Sequence, residues 1–378
     1  MRIAVFNTLY YPNRKGGAEK SVQLICEEFV KKGVEVEVNS LWDGVAPKCQ
    51  IHNGVKLRKW KNRNIYSIFD FDSKKIGFLK KIIWQIIDIF NVVMFFDSYF
   101  YFKKKKYDVL WTNNLSGFSL SIWVAAKLNR IKIVHTARDY YLISNNVMLF
   151  DDRNILPKHN IISAIKCRYL TFMSNLCDEF VGISNYILSL HATFLRGETK
   201  TIYNSIDKID ICSKRINKYK TYGYLGQINR AKGVHKLLEH FLCHSKNSRI
   251  IVAGKEDTEL SSKYKDNKRV IFSGFVEPKC FFESIDCLIV PSIWNEPFGR
   301  VVIEALSHRC PVMVNSTGGL TELEGIFKSV YKLNLNVRVD YDSIEYDFCD
   351  EDLCIIKEKF SSNYISDRYL KLFEGLNE

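Results

Sequence analysis

The run Pro291-Ser292-Ile293-Trp294-Asn295-Glu296-Pro297-Phe298-Gly299-Arg300-Val301-Val302-Ile303-Glu304-Ala305 follows the short apolar stretch Cys287 to Val290 and leads into a helical pattern that reaches His308. A buried strand, a polar turn and a helix in that order form half of a βα unit. The run also puts two carboxylates eight residues apart across the turn-to-helix junction. Pro297 suits a first helical turn, so Glu296 is expected at or before the helix start, facing a cleft. If the intervening segment is fully helical, Glu304 lies about 12 Å further along.

The same grammar extends in both directions. Upstream in this half, strands are expected at Tyr222 to Leu225, Arg249 to Val252 and Arg269 to Phe272, with helices over Gly233 to His244 and Lys279 to Ser284. Downstream come a strand at Val312 to Val314 and a helix at Thr321 to Phe327, then an acidic, irregular stretch from Tyr331 to Asp352 and a helical pattern from Lys357 to Leu376. The first half repeats the alternation, with strands at Arg2 to Phe6, Val34 to Val38, Asp108 to Trp111, Ile131 to His135, Glu179 to Gly182 and Lys200 to Tyr203. Its helices are expected over Ala18 to Lys32, Ser119 to Leu128 and Asn185 to Phe194.

Short β-branched runs alternating with longer helical ones predict an α/β protein with helices on both faces of parallel sheets. At 378 residues and 47% hydrophobic, the chain supports two such cores, joined by a lysine-rich connector near Asp207 to Lys220. The domains expected are 1–205 and 206–355, with 356–378 as a terminal helical segment. Doubly wound domains place ligands at the carboxyl ends of their strands.

Three glycine turns stand at such ends. Gly16-Gly17-Ala18-Glu19 follows the first strand, Gly226-Gln227-Ile228-Asn229-Arg230-Ala231-Lys232-Gly233 follows Tyr222 to Leu225, and Gly318-Gly319-Leu320-Thr321-Glu322 precedes a helix. Glycine lets backbone N–H groups approach a ligand, and helix N-termini favour anions. None of the three is G-x-G-x-x-G, so a dinucleotide fingerprint is absent. Arg230 and Lys232 sit where a phosphate would meet a helix start. With carboxylates for its two ends and cations for its middle, the set fits a nucleotide sugar. His135 is expected at a strand end, entering the cleft, with a packed core histidine as the alternative. No His/Cys/Asp cluster has metal-ligand spacing, so no metal and no resident cofactor are expected.

These residues closely resemble the GT-B glycosyltransferases of family 4, retaining enzymes that take sugar from a nucleotide donor. Glu296 and Glu304 match the family's E-x7-E pair; Gly226, Lys232 and Gly233 its basic donor loop; Val252-Ala253-Gly254 a strand end; and Gly318 and Gly319 its ribose-side turn. The first half matches more loosely, through Gly16, Gly17, His135, Val181-Gly182-Ile183-Ser184 and Ile202 to Asp207. The resemblance implies two Rossmann-like domains facing across a deep cleft, with the C-terminal helix crossing back to the first. It implies that Glu296 contacts the transferred hexose and Glu304 the ribose, that Phe298 and Gly299 present N–H groups to the sugar, that Lys232 binds the diphosphate, that His135 touches the sugar and that Gly17 lets a loop approach the phosphate. Many members have arginine after the glycine at position 226. Here Gln227 stands there, and Arg230 is the expected substitute toward the diphosphate.

On this reading Lys232, Arg230, Glu296 and His135 carry catalysis. A hexose or N-acetylhexosamine passes from a UDP- or GDP-sugar to a hydroxyl of a glycan acceptor, expected to be lipid-diphosphate-linked, in surface-polysaccharide assembly. A covalent intermediate on Glu296, a nucleotide-sugar epimerase of the same fold, and a noncatalytic glycan- or nucleic-acid-binding module are the alternatives. No nucleic-acid motif with interleaved stacking residues supports the last of these.

Charge is uneven. Residues 1 to 200 hold 30 Lys/Arg against 17 Asp/Glu, while the remainder holds 25 of each, so the net +13 lies in the first half. An insertion at about 72–106 is both aromatic and basic, and within it Ile76 to Phe102 is too interrupted by charge to span a bilayer. It reads as a surface-lying amphipathic segment with a polybasic edge. The expected acceptor-side or membrane contacts are Lys80, Lys81, Trp84, Lys103, Lys104, Lys105 and Lys106; a buried helical hairpin is the alternative. Met1 to Phe6 enters a strand without signal-peptide character, and eleven cysteines show no C-x-x-C. A cytoplasmic protein, peripheral on the inner face of the membrane, is therefore expected.

Overall fold

The computed structural model describes the whole chain except residues 14–15, 71–75, 145–167, 171, 193–194, 196–198, 208, 210–217, 256 and 377–378. Most of the expected connector, Asp207 to Lys220, and the end of the helix expected to reach Phe194 lie outside the described residues. The chain divides into two units. The first runs to Ser205 and regains the chain from Ser362, and the second holds Ile206 to Ser361.

In the first unit the described elements are β1 (Arg2–Phe6), α1 (Gly17–Lys31), β2 (Glu35–Leu41), β3 (Cys49–His52), β4 (Val55–Trp60), α2 (Phe78–Ile89), α3 (Val92–Lys105), β5 (Val109–Thr112), α4 (Ser121–Leu128), β6 (Lys132–Ala137), β7 (Glu179–Gly182), α5 (Asn185–Ala192) and β8 (Thr199–Thr201). They form one sheet in the order β3-β4-β2-β1-β5-β6-β7-β8, parallel except where β3 meets β4. The β3–β4 hairpin was not expected. Its turn is Asn53-Gly54, both at positive φ, the two-residue turn that matches strand twist.

The second unit holds β9 (Thr221–Leu225), α6 (Val234–His244), β10 (Arg249–Ala253), α7 (Thr258–Tyr264), β11 (Val270–Gly274), α8 (Pro278–Glu283), β12 (Cys287–Val290), α9 (Arg300–Ser307), β13 (Val312–Asn315), α10 (Gly319–Ile326), β14 (Val330–Leu333) and α11 (Glu351–Lys359). Its sheet is all parallel, in the order β11-β10-β9-β12-β13-β14. The unexpected α7 is capped by Asp257, whose carboxylate accepts from Glu259 N and Leu260 N.

Two expectations about the C-terminal part need correction. The stretch from Tyr331 is not wholly irregular, since β14 adds the last strand and Tyr341 is fully buried, its carbonyl accepting from Tyr222 Oη at 2.8 Å. The terminal segment is also not one helix. The chain breaks after α11, and α12 (Ser362–Gly375) belongs to the first unit. There Tyr369 and Phe373 pack with Phe29 of α1 and Trp111 of β5, and Lys32 Nζ lies 2.8 Å from Ser366 Oγ. The expected 356–378 segment is thus split between the two units.

Each sheet reverses its order about its first strand. β1 has β2 on one side and β5 on the other, and β9 has β10 on one side and β12 on the other. Such switch points open a crevice outside the carboxyl ends of the strands.

Candidate active site

In the second unit the switch point between β9 and β12 brings together four of the expected residues, Lys232, Glu296, Gly318 and Gly319. The loop after β9 and the loop after β12 are tied by backbone bonds from Ile293 N and Trp294 N to Ala231 O, at 2.9 and 3.2 Å. Across that junction Lys232 Nζ lies 2.5 Å from Glu296 Oε1, which also accepts from Ser292 Oγ at 2.6 Å. Lys232 Nζ sits 5.1 Å from the ring centre of Trp294. Glu296 is buried, so its charge is matched by the ammonium rather than by water. An ammonium held by a neighbouring carboxylate can be handed to an incoming anion.

Glycines stand around this junction because neighbouring backbone passes directly over them. A Cβ on Gly233 would lie 2.1 Å from Pro291 O, and one on Gly254 would lie 1.8 Å from Gly226 O. Gly318 bridges Glu296 in parallel fashion, and Gly319 N donates to Glu296 O at 2.7 Å. The glycine turn before α10 therefore holds the backbone of the carboxylate-bearing loop. Arg230 and Gln227 are exposed on the loop after β9.

The helical premise for Glu304 fails. α9 begins at Arg300 after Gly299, which takes φ 97, so residues 296 to 299 are an irregular lead-in and not a continuous helix. Glu304 stands one turn into α9, paired with Arg300 Nη2 at 3.1 Å. Phe298 is buried, its ring 6.2 Å from that of Phe360. Sequence reading missed Ser292, Trp294 and Arg300 as site residues, although all three stand inside the quoted run. Ser292 and Trp294 are placed by contacts with Glu296 and Lys232 that spacing does not report, whereas Arg300 pairs with Glu304 at the four-residue helical step, a signal the sequence carried.

In the first unit Gly16 is the cap residue of α1 and its N–H donates to Glu19 Oε2 at 3.0 Å; Gly17 is the first helical residue. Arg14 and Lys15 lie outside the described residues. His135 does not enter a crevice. β6 runs two residues past it, and the ring is buried between Trp123 and Phe180 with Nδ1 2.9 Å from Thr112 Oγ1. The residue that follows β6 is Arg138, whose Nε donates to Asn113 Oδ1 at 2.7 Å and whose Nη1 bonds Asn204 Oδ1. Asn113 follows β5, so this buried polar cluster, unforeseen from sequence, occupies the carboxyl side of the first sheet.

Burial, with His191 and Arg138 adding to it, pushes the His135 imidazole down to about 3; burial pushes His191 down to about 4. Both folded values lie below the unfolded one near 6.5, so the unfolded chain binds more protons between them. Their contribution is intact above about pH 6.5 and is lost as pH falls toward the folded values. Thermal unfolding should show roughly 2 to 3 kcal/mol lost per histidine by about pH 4.5, and His135→Phe should remove much of its share. A melting temperature that stays flat from neutral pH to that point would contradict the enclosure of both rings.

Residues 15–208 match the Glycosyltransferase Family 4 profile, and residues 206–330 match Glycosyl transferases group 1. The chain belongs to the group 1 glycosyltransferases. A 42.6 kDa protein in the cps region of Klebsiella pneumoniae is 33% identical to this glycosyltransferase over 380 residues, covering 99% of this chain and 100% of its own. Among solved structures, sucrose-phosphate synthase from Thermosynechococcus elongatus superposes with a TM-score of 0.73 at 14% identity, covering 99% of this chain and 98% of that one. Anabaena HepE in complex with UDP gives 0.70 at 16% identity, covering 99% and 100%. With the two parallel-sheet units, these likenesses establish the GT-B fold for this glycosyltransferase.

Proposed function

We propose that the protein transfers a hexose or N-acetylhexosamine from a UDP- or GDP-sugar to a hydroxyl of a glycan acceptor with retention of configuration. The observation that carries this reading is the Lys232–Glu296 pair at the β9/β12 switch point, among glycine turns packed closely on the loops that bear the two charges. The sugar's C1–O bond to the diphosphate breaks as the acceptor oxygen bonds C1 on the same face, and the acceptor proton goes to the departing phosphate. Negative charge growing on the leaving group is met by Lys232, by Arg230 and by N–H groups at the starts of α6 and α10. Release of Lys232 toward the diphosphate frees Glu296 to accept from sugar hydroxyls. Glu304, on α9, is assigned to the ribose, and acceptor recognition to the first unit. With these cations in place, the reading requires no resident metal.

The UDP complex of HepE makes UDP-sugars the first donors to test, and the relative in a cps region favours surface polysaccharide, with a lipid-diphosphate-linked acceptor. A panel of UDP- and GDP-sugars, assayed with and without EDTA, should give one donor class turned over in both conditions. Product anomeric configuration, read by NMR, should match that of the donor. Interconversion of donor sugars without acceptor, or a trapped adduct on Glu296, would replace this reading with an epimerase or a double-displacement enzyme.

A further inference from the structure

Helices α2 and α3 carry apolar side chains on the outward face as well as the buried one. Their buried row is Trp84, Asp88, Asn91, Met94, Ser98 and Phe102, at helical three- and four-residue steps carried through the joint between them. The outward row is Leu79, Ile83, Ile86, Phe90, Val93 and Phe96, spaced the same way. It ends at Phe100, which is 61% exposed. Nine of the twenty large exposed apolar residues among the described ones fall between Phe78 and Phe100, so this is a concentration and not scatter.

Polar anchors on the inner row fix this rotation. Asp88 accepts from Gly117 N at 2.6 Å and from Tyr141 Oη at 2.8 Å. Asn91 caps α3 through Met94 N, donates from Nδ2 to Arg63 O and accepts no rotation without losing its N–H bond to Ser119 Oγ. Trp84, expected at the surface, is instead buried, with its indole N–H on Tyr66 O at 3.0 Å. Turning the helices to hide the apolar row would strip these buried groups of their partners. The outer apolar row stays out because the polar anchors Asp88 and Asn91 of the inner row are held in.

Lysines frame the row at both ends. Lys80 and Lys81 are exposed in the first turn of α2, while Lys103 and Lys104, three and four residues past Phe100, are exposed at the end of α3. Lys105 alone of the terminal run is turned inward enough to lie 3.8 Å from Glu37. Among the described residues, no helix is long and apolar enough to cross a membrane.

We propose that the outward face of α2 and α3 is a docking surface for an anionic lipid bilayer. The apolar row enters the headgroup boundary while the four lysines lie over the acidic headgroups. A second copy of the chain is the poorer occupant, because it would bring the same positive frame against this one. The proposal rests on these two helices and is independent of the donor-site reading.

The test is co-sedimentation of the full-length protein with vesicles of phosphatidylcholine alone or mixed with phosphatidylglycerol. Binding should favour the anionic vesicles and weaken as salt rises. The combined variant Leu79→Ser, Ile86→Ser, Phe96→Ser, Phe100→Ser should keep its circular dichroism and lose vesicle binding by about tenfold or more. A second variant, Lys80→Gln, Lys81→Gln, Lys103→Gln, Lys104→Gln, should retain the apolar row and lose the preference for anionic lipid. The second variant decides the matter if the first does not fold. Absence of binding by the unaltered protein, lipid preference unchanged in the lysine variant, or a dimer that the serine substitutions dissociate would overturn the proposal.

Discussion

Lys232→Met is expected to lower kcat/KM for glycosyl transfer by about a thousandfold, the scale for removing one preorganised charge from a developing oxyanion. The same substitution should also destabilise the protein, because it takes the ammonium from the buried Glu296 carboxylate, whose Oε1 accepts from both Lys232 Nζ and Ser292 Oγ. Removing the partner of a buried carboxylate should cost roughly 3 kcal/mol. The two effects separate in a double-mutant cycle. Glu296→Gln keeps the shape and removes the charge, so combining it with Lys232→Met should recover most of the stability and none of the turnover. Denaturant unfolding and steady-state kinetics on the four proteins give both readouts. Near-normal turnover in Lys232→Met would remove the central support of the donor-site assignment, whatever the stability data show.

Gly254→Ala should be among the most damaging single-methyl changes in the second unit. Gly254 takes φ 149, and its new Cβ would lie 1.8 Å from Gly226 O, a backbone atom with no flexible end to yield. Gly254 N also donates to Gly274 O at 2.8 Å, and Gly226 N to Ala253 O at 3.0 Å, so the loops on either side cannot retreat without losing ladder bonds. We expect a loss of more than about 3 kcal/mol. Gly274→Ala is the matched control. It has φ 64, yet nothing within 4 Å of its Cβ, so only the left-handed backbone penalises it, by about 1 to 2 kcal/mol. Calorimetry should rank Gly254→Ala well below Gly274→Ala in melting temperature. Equal losses would mean that the two strand ends are not as closely apposed as described.

Much of the architecture was legible from periodicity. Buried parallel strands read as unbroken apolar runs, and Ile3 to Phe6 or Cys287 to Val290 are of that kind. The elements that escaped are those whose signal is local chemistry: the hairpin turned by Asn53-Gly54 and α7 capped by Asp257. β14 escaped for another reason. Its four residues stand beside an acidic stretch whose polarity suggests solvent, although Asp342 there collects the N–H groups of Lys246 and Ser248 and the hydroxyls of Ser245 and Ser248. Those donors, against a burial that would raise it, hold the Asp342 carboxyl well below the usual range.

In the candidate site, residue type was legible and partnership was not. The glycines, Lys232 and Glu296 could be named from strand-end position, but His135 was misplaced because β6 continues two residues beyond it, and an extra pair of strand residues carries a side chain deeper into the sheet.

Sequence alone determined the two α/β units, the glycine turns and the identity of the charged groups, because these depend on short-range periodicity and on which residues tolerate close backbone approach. Tertiary structure alone decided that Lys232 closes on Glu296 sixty-four residues away, that Arg138 and not His135 stands after β6, and that the apolar row of α2 and α3 faces outward. Those outcomes depend on which strands are neighbours and on which way buried hydrogen bonds turn a helix. Both are settled by packing between distant segments, and packing leaves no mark on the spacing within any one of them.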